Sequence, residues 1–123
     1  NGPVTGLLQE WMGRRRDTCI KFHEWWKSPR TWQKVMEIDP EASHASWMEN
    51  FPWTRVAGVT MPKEKKPAVN MEQMRMANPA GVRKLVGDGN YHGVYERSDA
   101  EMHALWQVAV EETRGIIEHG WPG

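Results

Sequence analysis

The chain has 123 residues, room for one domain, and its 16 Lys and Arg offset 16 Asp and Glu to give zero formal net charge and a pI near 7.2. That balance excludes a protein that holds nucleic acid or an anionic membrane through bulk positive charge, and leaves a small molecule or another protein as the expected partner. One Cys excludes an internal disulfide, no apolar run approaches the roughly 18 residues of a membrane span, and no targeting pattern opens the chain, so a cytoplasmic protein is expected.

Leu, Ile, Val and Phe together fall below the ~20% mark associated with disorder, but disorder also calls for a high net charge that is absent here. Bulk comes instead from eight Trp and eight Met. Eight large aromatic rings can anchor a core, while so few aliphatic residues predict that a neighbouring surface completes it.

In chain order, Val4, Leu7, Leu8, Trp11 and Met12 recur at helical spacing until Gly13 and the basic run Arg14-Arg15-Arg16, which predicts a first helix. Thr18 to His23 is short, alternating and rich in β-formers, the best strand candidate, and leads into Glu24-Trp25-Trp26. Ser28-Pro29 starts a short helix carrying Trp32, Val35 and Met36 that stops near Asp39-Pro40. Ser43 to Phe51 is predicted helical up to Pro52, followed by a weak strand over Trp53 to Thr60 and an exposed loop over Met61 to Val69. Asn78-Pro79 opens another short helix, closed by Gly87, and Gly87 to Gly93 is a glycine-punctuated loop of the kind that carries binding residues. Ser98-Asp99-Ala100-Glu101 is a capping box, and the longest helix follows it to Gly120.

Single residues give weak chemical signals. His44 and Glu49 are five apart, which turns them about 140° from each other on a regular helix and disfavours a two-ligand helical motif, so each also reads as a structural or solvated residue. Cys19 has no base fixed beside it and reads as a small hydrophobe. Gly87-Asp88-Gly89 lacks the Lys and the strand-to-helix setting of a phosphate loop and is more simply a turn. The Trp residues serve a core or protein interface, with a ring-binding wall as the minority reading.

Taken together, Glu24-Trp25-Trp26, the run His44-Ala45-Ser46-Trp47-Met48-Glu49-Asn50-Phe51-Pro52, Gly87-Asp88-Gly89 and the long final helix resemble the C-terminal half of the creatininase family. Asn1 also resembles the last residue of that family's Asn-Gly-His-Gly-Gly-Asn stretch. The resemblance implies an α/β chain, the C-terminal half of a three-layer α/β/α domain spanning residues 1–123, and a metal-dependent hydrolase. It places His44 as the proton-transferring catalytic residue and Glu49 at the metal. The family's other metal ligands lie in its N-terminal half. Two divalent ions (Zn, Mn or Fe) are therefore expected to be held mainly by a separate N-terminal polypeptide, most simply the other part of a cleaved precursor, within a higher homo-oligomer.

This chain has Ser43 where creatininase carries an acid, and Asn50-Phe51 where the family has Thr-Ser, which argues against creatinine as substrate. The pattern is similar to the branch containing 3-dehydro-scyllo-inosose hydrolase, and implies a cyclic amide or carbonyl substrate, with Trp47, Asn50, Tyr91 and His92 as its binding residues. The alternatives are a non-catalytic binding subunit of the same fold and a helical adaptor that uses exposed Trp.

Overall fold

The structure, a computed structural model, describes residues 2–15, 17–42 and 45–121. Their regular elements are helical: α1 (Gly2–Arg14), α2 (Pro29–Ile38), α3 (Met71–Met76), α4 (Pro79–Val86) and α5 (Asp99–His119), with single 3-10 turns at Trp25–Lys27 and Trp47–Glu49. Among the described residues there is no β-sheet; the one ladder contact is an isolated antiparallel bridge between Lys66 and Gly93. The expected three-layer α/β/α architecture is therefore corrected to an all-helical one.

The correction has a physical origin. Thr18 to His23 alternates as a strand would, but a strand needs a partner edge to satisfy its backbone, and no second strand is present among the described residues. The segment instead lies against α1, where the Ile20 N–H donates to Met12 Sδ at 3.3 Å. Trp53 to Thr60 is broken by turns at 52–54 and 57–58, the second holding Gly58 at φ 79.

α2 and α5 form the framework. Val35 of α2, Met102 and Leu105 of α5, and Trp47, Met48 and Phe51 of the segment between them make the core, flanked by Trp25, Trp26, Ile38, Ala42 and Val94. Each such side chain contributes roughly 1.5–3 kcal/mol on burial, so this six-residue wedge dominates the fold's apolar stabilisation. α5 begins with the capping box read from the sequence: Glu101 N–H donates to Ser98 Oγ at 3.3 Å and Ser98 N–H to Glu101 Oε2 at 3.0 Å. α4 is capped as Asn78-Pro79 predicts, with Gly81 N–H donating to Asn78 Oδ1 at 2.8 Å.

The start of α2 is satisfied differently. Ser28 precedes Pro29, but its side chain makes no capping bond. A carboxylate from α5 does that work: Glu112 accepts from Arg30 N–H (3.0 Å), Thr31 N–H (2.9 Å) and Thr31 Oγ1–H (2.8 Å). Negative charge at a helix N-terminus is favourable, so Glu112 at once caps α2 and locks the two helices together. Burial pushes the Glu112 carboxyl up, yet these three bonds and the Arg30 charge more than offset it and hold it below its ordinary value.

Ser43 to Phe51 is not the predicted helix. Ser43 and His44 lie outside the described residues, and only Trp47–Glu49 forms a 3-10 turn. Ala45 has φ 54 and Ser46 is extended, so helical pairing cannot start. The backbone turns instead to the glycine-rich loop: Tyr91 N–H donates to Ala45 O at 3.0 Å and Trp47 N–H to Val94 O at 3.3 Å.

Candidate functional site

These cross-bonds place two distant stretches side by side. Ala45, Ser46, Glu49 and Asn50 on one side and Gly89, Asn90 and Tyr95 on the other line one cleft of about 300 Å³, with Thr54 and Met61 closing its edge. Glu49 lies at that cleft, and its Oε1 accepts the Ala45 N–H at 3.2 Å. It also borders a second cavity of about 290 Å³ walled by Trp25, Trp26 and Met48. Trp25 and Trp26, the residues Ala45, Ser46 and Asn50, and the Gly89–Asn90 turn thus come together around one exposed carboxylate, Glu49.

The loop wall is held by an electrostatic clasp. Lys66 Nζ donates to both Asp88 Oδ1 and the Val86 carbonyl, and Tyr95 donates its hydroxyl hydrogen to Asp88 Oδ2 at 2.7 Å. Lys66 and Tyr95 hold the Asp88 carboxyl down at about 2. The same bond to Asp88 pushes the Tyr95 phenol above its ordinary value, so it remains a protonated donor. Paired backbone bonds between Lys66 and Gly93, at 2.9 and 3.0 Å, and one from Val69 N–H to Tyr91 O at 2.9 Å fasten the strap at 66–69 to the loop.

The expected site residues are distributed unevenly around this cleft. His44 lies outside the described residues. Asn50 lines the cleft, and its side-chain amide donates to Tyr95 O at 3.0 Å, stitching the walls together. Trp47 is 0% exposed and packs in the core, with the Arg97 guanidinium 5.7 Å from its ring centroid. Tyr91 and His92 are half-buried next to the cleft, their backbones bonded to Ala45 O and Asn90 Oδ1, while Asn90 and Tyr95 form the wall. Thr54, Asn90 and Tyr95 belong to no motif; of these only Asn90, inside the glycine-punctuated loop, carried a sequence signal, while Ser46 lies in the His44–Pro52 run but had no expected role there.

As a metal site the described residues are insufficient. None of their His, Cys, Asp and Glu side chains form a group of three that could hold an ion, and zinc takes three or four protein ligands. Glu49 offers one carboxylate.

A third concave surface runs along α5. About 500 Å³ of groove is lined chiefly by Trp25, Trp106, Ala109, Val110 and Ile117, with His23 Nε2 and Thr113 Oγ1 hydrogen-bonded at 3.1 Å across one edge. Among the described residues no helix is long and apolar enough to cross a membrane. Comparison of the chain with protein-family models, curated proteins and solved structures returned no match.

Proposed function

We propose that this chain supplies one wall of a hydrolytic site, in a metal-dependent hydrolase that acts on a cyclic amide or on the carbonyl of an inosose-like ring. The observation that carries the proposal is the convergence around Glu49 of Ser46 and Asn50, the wall formed by Gly89, Asn90 and Tyr95, and Trp25-Trp26. Glu49 would give one carboxylate to a divalent-metal site, and a second polypeptide, an N-terminal half of the same precursor, would bring the remaining ligands. A bound divalent ion supplies an acidified water as nucleophile. This chain's own part is to hold the Glu49 carboxylate, to present His44 for proton transfer, and to face a polar ring with Asn50, Asn90 and Tyr95.

The test is to isolate the tagged chain with its associated polypeptides from its source cells, measure divalent metal, and assay cyclic amides and inosose-like rings. The expected result is bound Zn, Mn or Fe and ring hydrolysis, with Glu49→Gln reducing turnover by ~10²-fold while assembly persists. An assembled complex that holds no metal and opens neither ring refutes the proposal. The second reading, a non-catalytic binding subunit, is favoured by the apolar groove on α5.

A further inference from the structure

The cleft at Glu49 is bordered by a loop that is fastened at its two ends and nowhere between them. At one end Thr54 Oγ1 lies 3.0 Å from the carbonyl oxygens of both Glu49 and Phe51, and Arg55 pairs with Asp99 at 2.6 Å and donates to Arg97 O at 3.2 Å. At the other, Lys65 pairs with Glu41 at 2.6 Å and Lys66 N–H donates to Gly93 O at 2.9 Å. Among the described residues, the stretch 56–64 makes no hydrogen bond to the body; Val59 N–H donates to Val56 O at 3.2 Å within the loop itself. Residues 56–60 are all exposed. Gly58 turns the tip at φ 79, and a Cβ added there would meet nothing within 4 Å, so the turn stands in solvent. Backbone with so few contacts rearranges at little cost.

The anchors and the side chains of this loop suit it to cover the cleft. Thr54 and Met61, which bracket it, both line the cleft. Val59 is two residues from Met61, and two residues reach about 7 Å, enough to cross the mouth of a cavity of about 300 Å³. Val56 and Val59 nevertheless remain 67% and 56% exposed. The chemistry of the empty cleft keeps them out: Glu49, Asn50 and Asn90 line it, and valines laid over a carboxylate and amides would strip water from groups that gain no bond in return. A polar ring reverses that balance. Its hydroxyls replace the lost water at those groups, and its C–H face gives the valines an apolar surface to cover. An occupied cleft therefore favours the closed loop over the open one, the differential interaction a ligand needs to shift a conformation. We propose that residues 56–61 form a lid that folds Val56 and Val59 over the Glu49 cleft when a polar ring occupies it, shutting bulk water out. The inference rests on the reading of that cleft as a ring-binding site.

Hydrogen exchange on the assembled protein, with and without a pentahydroxycyclohexanone as probe, separates the lid from the site beneath it. Without the ring the amides at 57–61 should exchange in the fastest class. With it their protection should rise at least ~10-fold, together with that of the cleft walls at 46–50 and 89–95. A chain carrying Val56→Ser and Val59→Ser should lose the added protection at 57–61 and keep it in the walls. A ring-independent check uses a Cys19→Ser background with Ser46→Cys and Val59→Cys. These thiols should form a disulfide under mild oxidation, which requires the tip to enter the cleft because the two Cα atoms must come within about 7 Å. Ring-induced protection of the walls without the loop overturns the lid and leaves the ring site standing, as does protection at 57–61 that survives the serine substitutions. Protection of neither region overturns the ring site and the ring as trigger. The cysteine pair then decides the closure itself: a disulfide supports it, and two accessible thiols that stay reduced overturn it.

Discussion

Glu112 is the residue whose loss should most clearly separate helix packing from helix capping. Glu112→Ala removes the acceptor for Arg30 N–H, Thr31 N–H and Thr31 Oγ1–H. Arg30 is exposed, so water can replace one of those bonds; Thr31 is 0% exposed, and its two donors are left without an acceptor. An unsatisfied buried donor costs ~1–3 kcal/mol, which puts Glu112→Ala, with two of them, at roughly 2–6 kcal/mol. Glu112→Gln retains an oxygen but not the charge and should cost about 1 kcal/mol, the usual value of a helix N-cap. At roughly 4 °C per kcal/mol for a chain of this length, the alanine variant melts about 8–24 °C lower. Urea unfolding followed by circular dichroism measures both.

The pH dependence is a second check on the same residue. The Glu112 carboxyl sits below its ordinary value in the fold, so its contribution is complete above the unfolded pKa and disappears as pH falls through the lower folded value. The gap between wild type and Glu112→Gln should therefore be widest near neutrality and close in acid. A Glu112→Ala chain as stable as wild type, or a wild-type-to-Gln gap that is the same in acid as at neutral pH, refutes the assignment of Glu112 as the cap of α2. Thr31→Val completes a double-mutant cycle, and strongly non-additive losses are expected because the two residues share a bond.

Asp39→Asn breaks the ion pair in which Arg97 Nη2 lies 2.5 Å from Asp39 Oδ2. The Asp39 side chain is 7% exposed but that of Arg97 is 26%, so the loss should be about 2 kcal/mol, below the range for fully buried pairs. Burial raises the Asp39 carboxyl, the bonds from Arg97 and Glu41 N–H bring it below its ordinary value, and the loss measured by urea unfolding should shrink as pH falls through that lowered value. Asp88→Asn should loosen the loop wall without unfolding the core, reducing hydrogen-exchange protection of the Tyr91 and Gly93 amides by about tenfold. Because the Asp88 carboxyl lies at about 2 against an ordinary 3.8, the wild-type clasp should hold above pH 3.8 and fail only as pH drops through 2. Unaltered protection in the variant would show that backbone bonds alone hold the loop.

The helices with local punctuation were legible: Ser98 with Glu101, Asn78-Pro79 and Ser28-Pro29 each mark a helix start that forms where its residues indicate. Even there the Ser28 hydroxyl is not the cap, because Glu112, 84 positions further on, outcompetes it, and no local pattern encodes a bond of that span. α3 went unread: its six residues show too little periodicity to register, although Asn70 caps it by accepting Gln73 N–H at 2.9 Å. The alternation of Thr18 to His23 is genuine, but alternation records which faces differ and says nothing of whether a neighbouring edge exists. Trp47 and Glu49 illustrate the limit at the site. The resemblance placed Trp47 at the substrate and Glu49 at the metal of one site, yet a two-residue offset around a 3-10 turn sends the indole into the core and leaves the carboxylate at the cleft.

The irregular backbone at Ala45 and Ser46 has a consequence for how the site is built. A helix there would have consumed the Trp47 N–H and the Ala45 carbonyl in its own turns. Held open, both groups reach the 91–94 segment, and the Lys66–Gly93 pairing then passes the connection on to the 66–69 strap. Three chain segments with no sheet among them are therefore laced by backbone bonds, and the Asp88 clasp tightens the far side. Ala45 in the left-handed region costs of order 1 kcal/mol, a cost the lacing offsets. Ala45→Gly should relieve that strain while leaving every backbone bond in place; a stabilised chain with an unchanged cleft is expected if the strain serves geometry alone. A variant no more stable than wild type, or one in which hydrogen exchange shows the Tyr91 and Trp47 amides released, would refute the reading that Ala45 carries strain for the sake of this lacing.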